Sequence, residues 1–352
     1  MLSAEQSRAY VSILREELVH ATGCTEPIAI AYAAARLRQL LGARPEEIRA
    51  DVSGNIIKNV KSVVVPNTGG LKGIPAAVAA GIVAGDPALE LQVIAHVPTA
   101  LHPEIAAYAA ETPMEILCAE TPRLLDIRLT GRVNGHTASV RIANNHSNVI
   151  REELDGKILL DRPATDSPED NLTDKSVLNV ADILTFADTA DLTEVAPLLE
   201  QQISCNLAIA AEGLAHNWGA NIGSVLLRHY PSDIKTEAKA GAAAGSDARM
   251  SGCELPVVIL SGSGNQGITA SVPVVVYAQE LGVSRETLYR ALAVSNLSTI
   301  HIKAHIGTLS AYCGAVSAGC GAGAGITYLY GGGYEHIKHT LVNAMAITSG
   351  II

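Results

Sequence analysis

The stretch VILSGSGNQGITAS, residues 258–271, decides how the rest of the chain is read. Gly262, Gly264 and Gly267 spell G-x-G-x-x-G after an apolar run, the pattern of a dinucleotide-binding loop opening a helix. That fold also needs a strand before the loop, a helix after it, and a second strand ending in an acidic residue about 20 residues on. ELPVVIL (254–260) supplies the first strand. Pro273 then interrupts the expected helix, and YAQELGVSRETLYRALAVSN (277–296) has helical spacing where the second strand belongs. Glu286 therefore falls in the wrong element, and the nicotinamide-dependent oxidoreductase reading is set aside. What remains is a glycine-rich turn carrying Ser261, Ser263, Asn265 and Gln266. Its successive N–H groups and polar side chains suit a small carboxylate as well as a phosphate.

The chain around this turn is built from small residues. Of 352 residues 31 are glycine, and ten tyrosines stand beside a single Phe and a single Trp, so the core must be Ala, Leu, Ile and Val. Such a composition favours helices that approach one another closely. The formal charge of −10 and the absence of any basic run argue against nucleic acid as a partner. The amphipathic, acidic start of the chain is no secretory signal, and the apolar stretches are too short and too broken by Gly and Pro to span a bilayer. A cytoplasmic protein, forming a homodimer, is expected.

Residues 5–20 have helical spacing, and EPIAIAYAAARLRQLLG (26–42) reads as a second helix. Cys24, in the tight ATGCTEP between them, sits at a helix N-terminus, where free N–H groups and the dipole favour a thiolate. Next comes a polar span holding Asn55, Lys58, Asn59, Asn67 and Thr68, and then Ala-rich helices from about 74 to 118. LLDIRLTGRV and HTASVRIA alternate around Asn134-Gly135, and NVIREEL and KILL around Asp155-Gly156. Both read as hairpins, and together they make an antiparallel meander over 123–162. From 176 onward the chain is again helical and rich in small residues. The fold class is therefore α+β, mostly helical. Residues 1–122 form a first helical region, 123–165 a β insertion, and 166–352 a second helical region.

Six peptides taken together resemble one family. They are GCTEPIAIAYAAA (23–35), NIIKNVKSVVVPNTG (55–69), SCNLAIAAEGL (204–214), SDARMSG (246–252), SGSGNQGITASVPVVVYA (261–278) and HIKAHIGTLSAYCGAV (301–316). In this order they resemble the L-cysteine desulfidases, the UPF0597 group, relatives of the iron–sulfur L-serine dehydratases. The resemblance implies a pyridoxal-independent lyase that converts L-cysteine to pyruvate, ammonia and sulfide on a [4Fe–4S] cluster. Its open iron would act as a Lewis acid on the leaving group. The implied ligands are Cys24, Cys313 and a cysteine expected to follow Ile352, so the C-terminal end of the family's site is expected to lie beyond the chain given. Cys320 is a possible substitute, but seven residues from Cys313 along a helix is about 10 Å.

Within this reading the substrate carboxylate meets Ser261, Ser263, Gly264, Asn265 and Gln266, with Asn55, Asn59, Thr68 and Arg249 as further contacts. Arg249 and Asp247 could instead pair with each other. Lys58 is the first choice for the base, on the expectation that burial lowers its pKa, and His146 the second. His301 and His305, four apart, read as helix-surface or supporting histidines. L-Serine as substrate, and an amino-acid-binding homologue without a cluster, are the competing readings.

Overall fold

Backbone-to-backbone approach, made possible by small side chains, shapes this fold. The computed structural model describes residues 2–22, 25–61, 63–163, 172–306 and 314–349. The chain runs α1 (Ala4–Glu17), β1 (Leu18–Thr22), α2 (Thr25–Leu41), β2 (Glu47–Val52), α3 (Gly54–Val60), α4 (Gly73–Ala84), α5 (His102–Glu111) and β3 (Met114–Cys118). Four strands follow: β4 (Asp126–Val133), β5 (His136–Ala143), β6 (Val149–Leu154) and β7 (Lys157–Asp161). The remainder is α6 (Val180–Thr189), α7 (Ala196–Ala215), α8 (Ile222–His229), α9 (Ile234–Met250), β8 (Pro256–Leu260), α10 (Gly264–Glu280), α11 (Arg285–Ala304), α12 (Ala315–Leu329) and α13 (Tyr334–Ser349). Among the described residues no helix is long and apolar enough to cross a membrane. Two compact units result: a helical one from residues 1–21, 171–249 and 255–352, and a sheet-containing one from 22–170 and 250–254.

In the sheet-containing unit both expected hairpins are present, β4 with β5 and β6 with β7. Asn134, Gly135, Asp155 and Gly156 all have positive φ, the conformation that a two-residue hairpin turn imposes and these residue types tolerate. The sheet is larger than the expected meander. Its strand order is β3-β2-β4-β5-β6-β7, with β2 and β3 parallel and every other pair antiparallel. The Ala-rich helical run expected to reach residue 118 therefore stops early. Pro113 disfavours helical backbone at Thr112, which ends α5, and the Pro113 carbonyl accepts from Ile48 N–H at 3.0 Å, starting β3 beside β2.

Helix α2 packs against this sheet with an alanine-rich face and against α4 at Gly81, where a β-carbon would overlap the Ala31 carbonyl. Arg38 then closes the end of α4, donating to Ile82 O at 2.8 Å and Gly85 O at 2.7 Å, carbonyls that have no helical partner of their own. Arg36 joins α2 to β6 through Glu152, at 2.6 and 2.8 Å.

The helical unit has one large apolar cluster that includes Tyr10, Ile13, Leu14, Phe186, Leu199, Ile203, Val258, Leu260, Val274, Leu292 and Leu297. The lone phenylalanine meets Tyr10 with ring centroids 5.3 Å apart. Helix α12, the CGAGAG run, packs on α11 so tightly that a β-carbon on Gly321 would overlap Ser295 O and Thr299 Oγ1. Buried amides stitch the layers. Gln202 and Asn296 exchange two hydrogen bonds, of 3.0 and 2.8 Å, between α7 and α11. Asn206 of α7 accepts from Val258 N–H at 2.9 Å and donates to Val258 O at 3.2 Å and to Ser271 Oγ at 3.0 Å. It thus serves β8 as a neighbouring strand would, where among the described residues β8 has only β1 beside it in the sheet.

One expectation inside this unit fails. Helix α10 runs through Pro273 instead of ending there. Loss of the N–H and the ring clash cost about 3 kcal/mol, but the helix buries Val272, Val274 and Val275, each worth about 1.5–3 kcal/mol. Burial wins. The stitching by Asn206 gives a stability prediction: Asn206→Ala leaves both backbone groups of Val258 without that partner and should lower unfolding free energy by about 2–3 kcal/mol. Urea denaturation measures it, and a change under about 0.5 kcal/mol would reduce Asn206 to an ordinary surface-like position.

Candidate functional site

Strand β8 delivers the chain into the quoted motif, and the turn that follows is tight. Leu260 N–H donates to Ser263 O and Ser263 N–H to Leu260 O, both at 3.1 Å. Ser261 (φ 47°) and Gly262 (φ 77°) occupy the two left-handed positions between them. A serine in that region is uncommon, and Ser261 is buried as well. The reversal aims the N-terminus of α10 back over the end of β8. Ser263 stands at the N-cap with no side-chain hydrogen bond to the helix, so the first turn of α10 presents N–H groups that this usual cap leaves unmet. Gly267 is required for the return, because a β-carbon there would overlap the carbonyl of Val258.

Three side chains converge on this helix start. Arg249, buried at the end of α9, lays its guanidinium against Gly264, where any β-carbon would collide with Nε and Cζ. Its Nη1 donates to Asn265 Oδ1 at 3.1 Å. The alternative pairing with Asp247 is not made: Asp247 accepts from the Ile222 N–H at 2.8 Å and so caps α8. Residues two apart on a helix face different ways, which is why the two charges in SDAR separate. Gln266 reaches back under the turn, and its Nε2 donates to Leu260 O at 3.0 Å and Ser261 O at 3.2 Å. A guanidinium and a set of helix N-terminal N–H groups on one turn make a positive pole suited to a carboxylate. The glycines thus have separate purposes: Gly262 for the turn, Gly264 for the guanidinium and Gly267 for contact with the strand.

The remaining sequence candidates divide between the units. In the helical unit Cys320 is buried in an apolar cluster with Leu184, Ala187, Val294, Ala324, Ile337 and Leu341, and burial pushes its thiol pKa up. A cluster ligand is a thiolate, so these surroundings disfavour the role. His301 and His305 on α11 stack edge to face with centroids 5.8 Å apart, and burial, helped by His305, pushes the His301 pKa down. In the sheet-containing unit Lys58 lies on α3 and is exposed, so the burial on which its choice as base rested is absent. His146 is buried in the β5–β6 connection. Thr68 bonds its own loop, donating to Val65 O at 2.7 Å and accepting from Leu71 N–H at 3.2 Å. Asn55 is half-buried on α3, and Asn59 donates to Glu26 Oε1 at 3.1 Å. Asn59 is thereby tied to the GCTEP peptide, two residues past Cys24. Cys24 and Cys313 lie outside the described residues. Among those residues no group of three His, Cys, Asp or Glu is placed to hold a metal ion.

Two neighbours escape a reading of the sequence. Glu26 is visible inside GCTEP, yet nothing links it to Asn59 before the fold brings α2 and α3 together. Gly314, the N-cap of α12, faces Gln266 so closely that a β-carbon would overlap Oε1. No local pattern signals that contact, because 48 positions separate the two residues.

A family model described as serine dehydratase alpha chain matches residues 104–352. A UPF0597 protein of Desulfitobacterium hafniense (strain Y51) is 54% identical over 345 residues, covering 98% of this chain and 80% of that one. A UPF0597 protein of Treponema denticola is 46% identical, covering 100% and 83%, and one of Lachnoclostridium phytofermentans 48%, covering 97% and 82%. The chain belongs to the serine dehydratase alpha-chain family, and these relatives bear the UPF0597 name.

The positive pole can be tested without turnover. Gly264→Ala drives a methyl into the Arg249 guanidinium and should weaken binding of propionate at least about tenfold, the worth of one charge-assisted hydrogen bond. Calorimetric titration reads the affinity and circular dichroism the fold; unchanged propionate binding in folded protein would remove this turn from carboxylate recognition.

Proposed function

We propose that this protein is an iron–sulfur lyase that removes the β-substituent of a small L-amino acid, with L-cysteine as substrate. One water is consumed overall, and pyruvate, ammonia and hydrogen sulfide leave. The observation that carries the reading is the α10 start, where Arg249 and helix N–H groups form a positive pole in a chain of this family. Pyridoxal chemistry is not part of the reading.

The donor set suits an iron–sulfur cluster in kind. Cys24 directly precedes α2 and Cys313 directly precedes Gly314, the N-cap of α12. Helix N-termini stabilise thiolates, the form in which cysteine binds iron. These two cysteines would hold the cluster, with a further ligand from elsewhere in the protein, and Cys320 would remain an inert core thiol. When bound, the cluster supplies Lewis acidity for the departing sulfur. The chain's own residues do the rest. Arg249 and the first turn of α10 bind and orient the carboxylate, with Asn265 steadying the guanidinium and the turn of Ser261 and Ser263 fixing the helix start. His146 is the better choice for the base that takes the Cα proton, since its burial shields it from water and Lys58 is exposed. Asn55, Asn59 and Thr68 shape the segment that carries Lys58.

L-Serine is the second reading, favoured by the description of the matching family model. The same residues would serve, with hydroxide leaving in place of sulfide. One experiment separates the readings. Protein reconstituted anaerobically with iron and sulfide should gain visible cluster absorbance and release sulfide and pyruvate from L-cysteine. Cys24→Ala and Cys313→Ala should lose both signals, whereas Cys320→Ala should keep both. Pyruvate from L-serine with none from L-cysteine would select the dehydratase. Sulfide release that survives iron removal would overturn the iron–sulfur mechanism.

A further inference from the structure

The sequence makes Gln266 a donor to the substrate carboxylate, and the structure gives its amide the opposite polarity. Both hydrogens of Nε2 are committed, one to Leu260 O at 3.0 Å and one to Ser261 O at 3.2 Å. Two carbonyl acceptors on one side fix which end of the amide is nitrogen, since the flipped amide would set oxygen against oxygen. The other end is therefore an oxygen. Gln266 is only 1% exposed, and its Oε1 is buried with no hydrogen-bond partner. Buried carbonyl oxygens in folded proteins nearly always accept a hydrogen bond, so an unmet one calls for an explanation.

The surroundings of Oε1 are tight. It faces Gly314 at the start of α12, and a β-carbon at that position would overlap Oε1 and Cδ. Glycine is the one residue that fits there without pushing the amide aside. Gln266 also lies two residues past Gly264, against which the Arg249 guanidinium is packed. The first turn of α10 therefore packs against a cation from α9 and carries an uncommitted acceptor itself. A zwitterion has the complementary pair: a carboxylate for the first and an ammonium, with three N–H donors and no acceptor, for the second.

We infer that Gln266 is the positioning residue for the α-ammonium group of the substrate, accepted at Oε1, and that Gly314 keeps that oxygen available. The inference rests on the amino-acid lyase reading and deepens it, because it makes the turn a recogniser of α-amino acids and not of carboxylates in general. No covalent step is involved. The ammonium is held while the carboxylate is gripped by Arg249, and the two contacts together set the direction in which the Cα–H bond points.

The test uses ligands that differ only in the ammonium and cannot react. L-Alanine carries both groups and propionate lacks the ammonium; neither has a β-leaving group. Calorimetric titration of the reconstituted protein should show L-alanine binding at least about tenfold tighter than propionate, as one charge-assisted hydrogen bond provides. Gly314→Ala, which keeps the glutamine but crowds Oε1, should weaken L-alanine at least about tenfold while leaving propionate within about twofold. Gln266→Met, which also removes the two Nε2 bonds under the turn, should weaken L-alanine at least about tenfold. Equal weakening of both ligands in folded Gly314→Ala, or no weakening of L-alanine in either folded variant, would overturn the inference while leaving the lyase reading intact. Failure of the wild-type protein to bind either ligand would instead sink the lyase reading, and this inference with it.

Discussion

The carbonyl oxygens of Ala31, Ala244 and Val258 each occupy the space that a β-carbon would take on the glycine facing them, at Gly81, Gly213 and Gly267. These contacts set the spacing of both units. With few aromatic side chains to fill gaps, the chain reaches interior packing density by letting backbones touch. Close approach gives each methyl group more contacts, but it removes any tolerance for enlargement. An added carbon at such a position must displace a neighbouring backbone, and overpacking of this kind costs about 1–3 kcal/mol. The same constraint governs the candidate site, since Gly264 and Gly314 admit a guanidinium and an amide where any larger residue would exclude them.

Close packing has a second consequence. Backbone and amide groups brought into a tight interior must find partners there, because water cannot reach them. The amides of Asn206, Gln202 and Asn296 meet that demand and in doing so lock α7 to β8, α10 and α11. Ser271 continues the chain by donating to Gly267 O at 2.7 Å, directly behind the turn. The turn is therefore supported from below by a connected polar network. Such support is what allows Ser261 to hold a left-handed conformation that it would otherwise leave. Against this background the uncommitted oxygen of Gln266 is conspicuous, since the neighbouring buried amides are satisfied.

Much of the fold is legible in the residues themselves. Asn134-Gly135 and Asp155-Gly156 specify their hairpins because few other pairs adopt two consecutive positive φ angles so readily. The CGAGAG run is readable as a close-packed helix, and the missing second strand after the glycine motif is enough to exclude a nucleotide fold. Other features are not legible. MEILC looks like the tail of an Ala-rich helical run until β2 offers it an edge. Pro273 looks like a stop because local propensity cannot count the three valines buried beside it. Lys58 looks shielded between apolar residues, yet a short helix places its neighbours Ile56 and Val60 inward and turns Lys58 out.

By itself the sequence determined the local geometry: where the backbone must turn and which runs can be helices. It also determined the family, because those local requirements recur in one order along the chain. Tertiary structure alone decided polarity and partnership in the candidate site. Asp247 capping α8 instead of pairing with Arg249, Asn59 meeting Glu26, and Gln266 facing Gly314 are all contacts between residues distant in the chain or turned apart on a helix. An amide is donor and acceptor at once, and its residue type does not say which end will be left open. Only the two carbonyls at the end of β8, brought under α10 by the fold, settled that the oxygen is the end that remains.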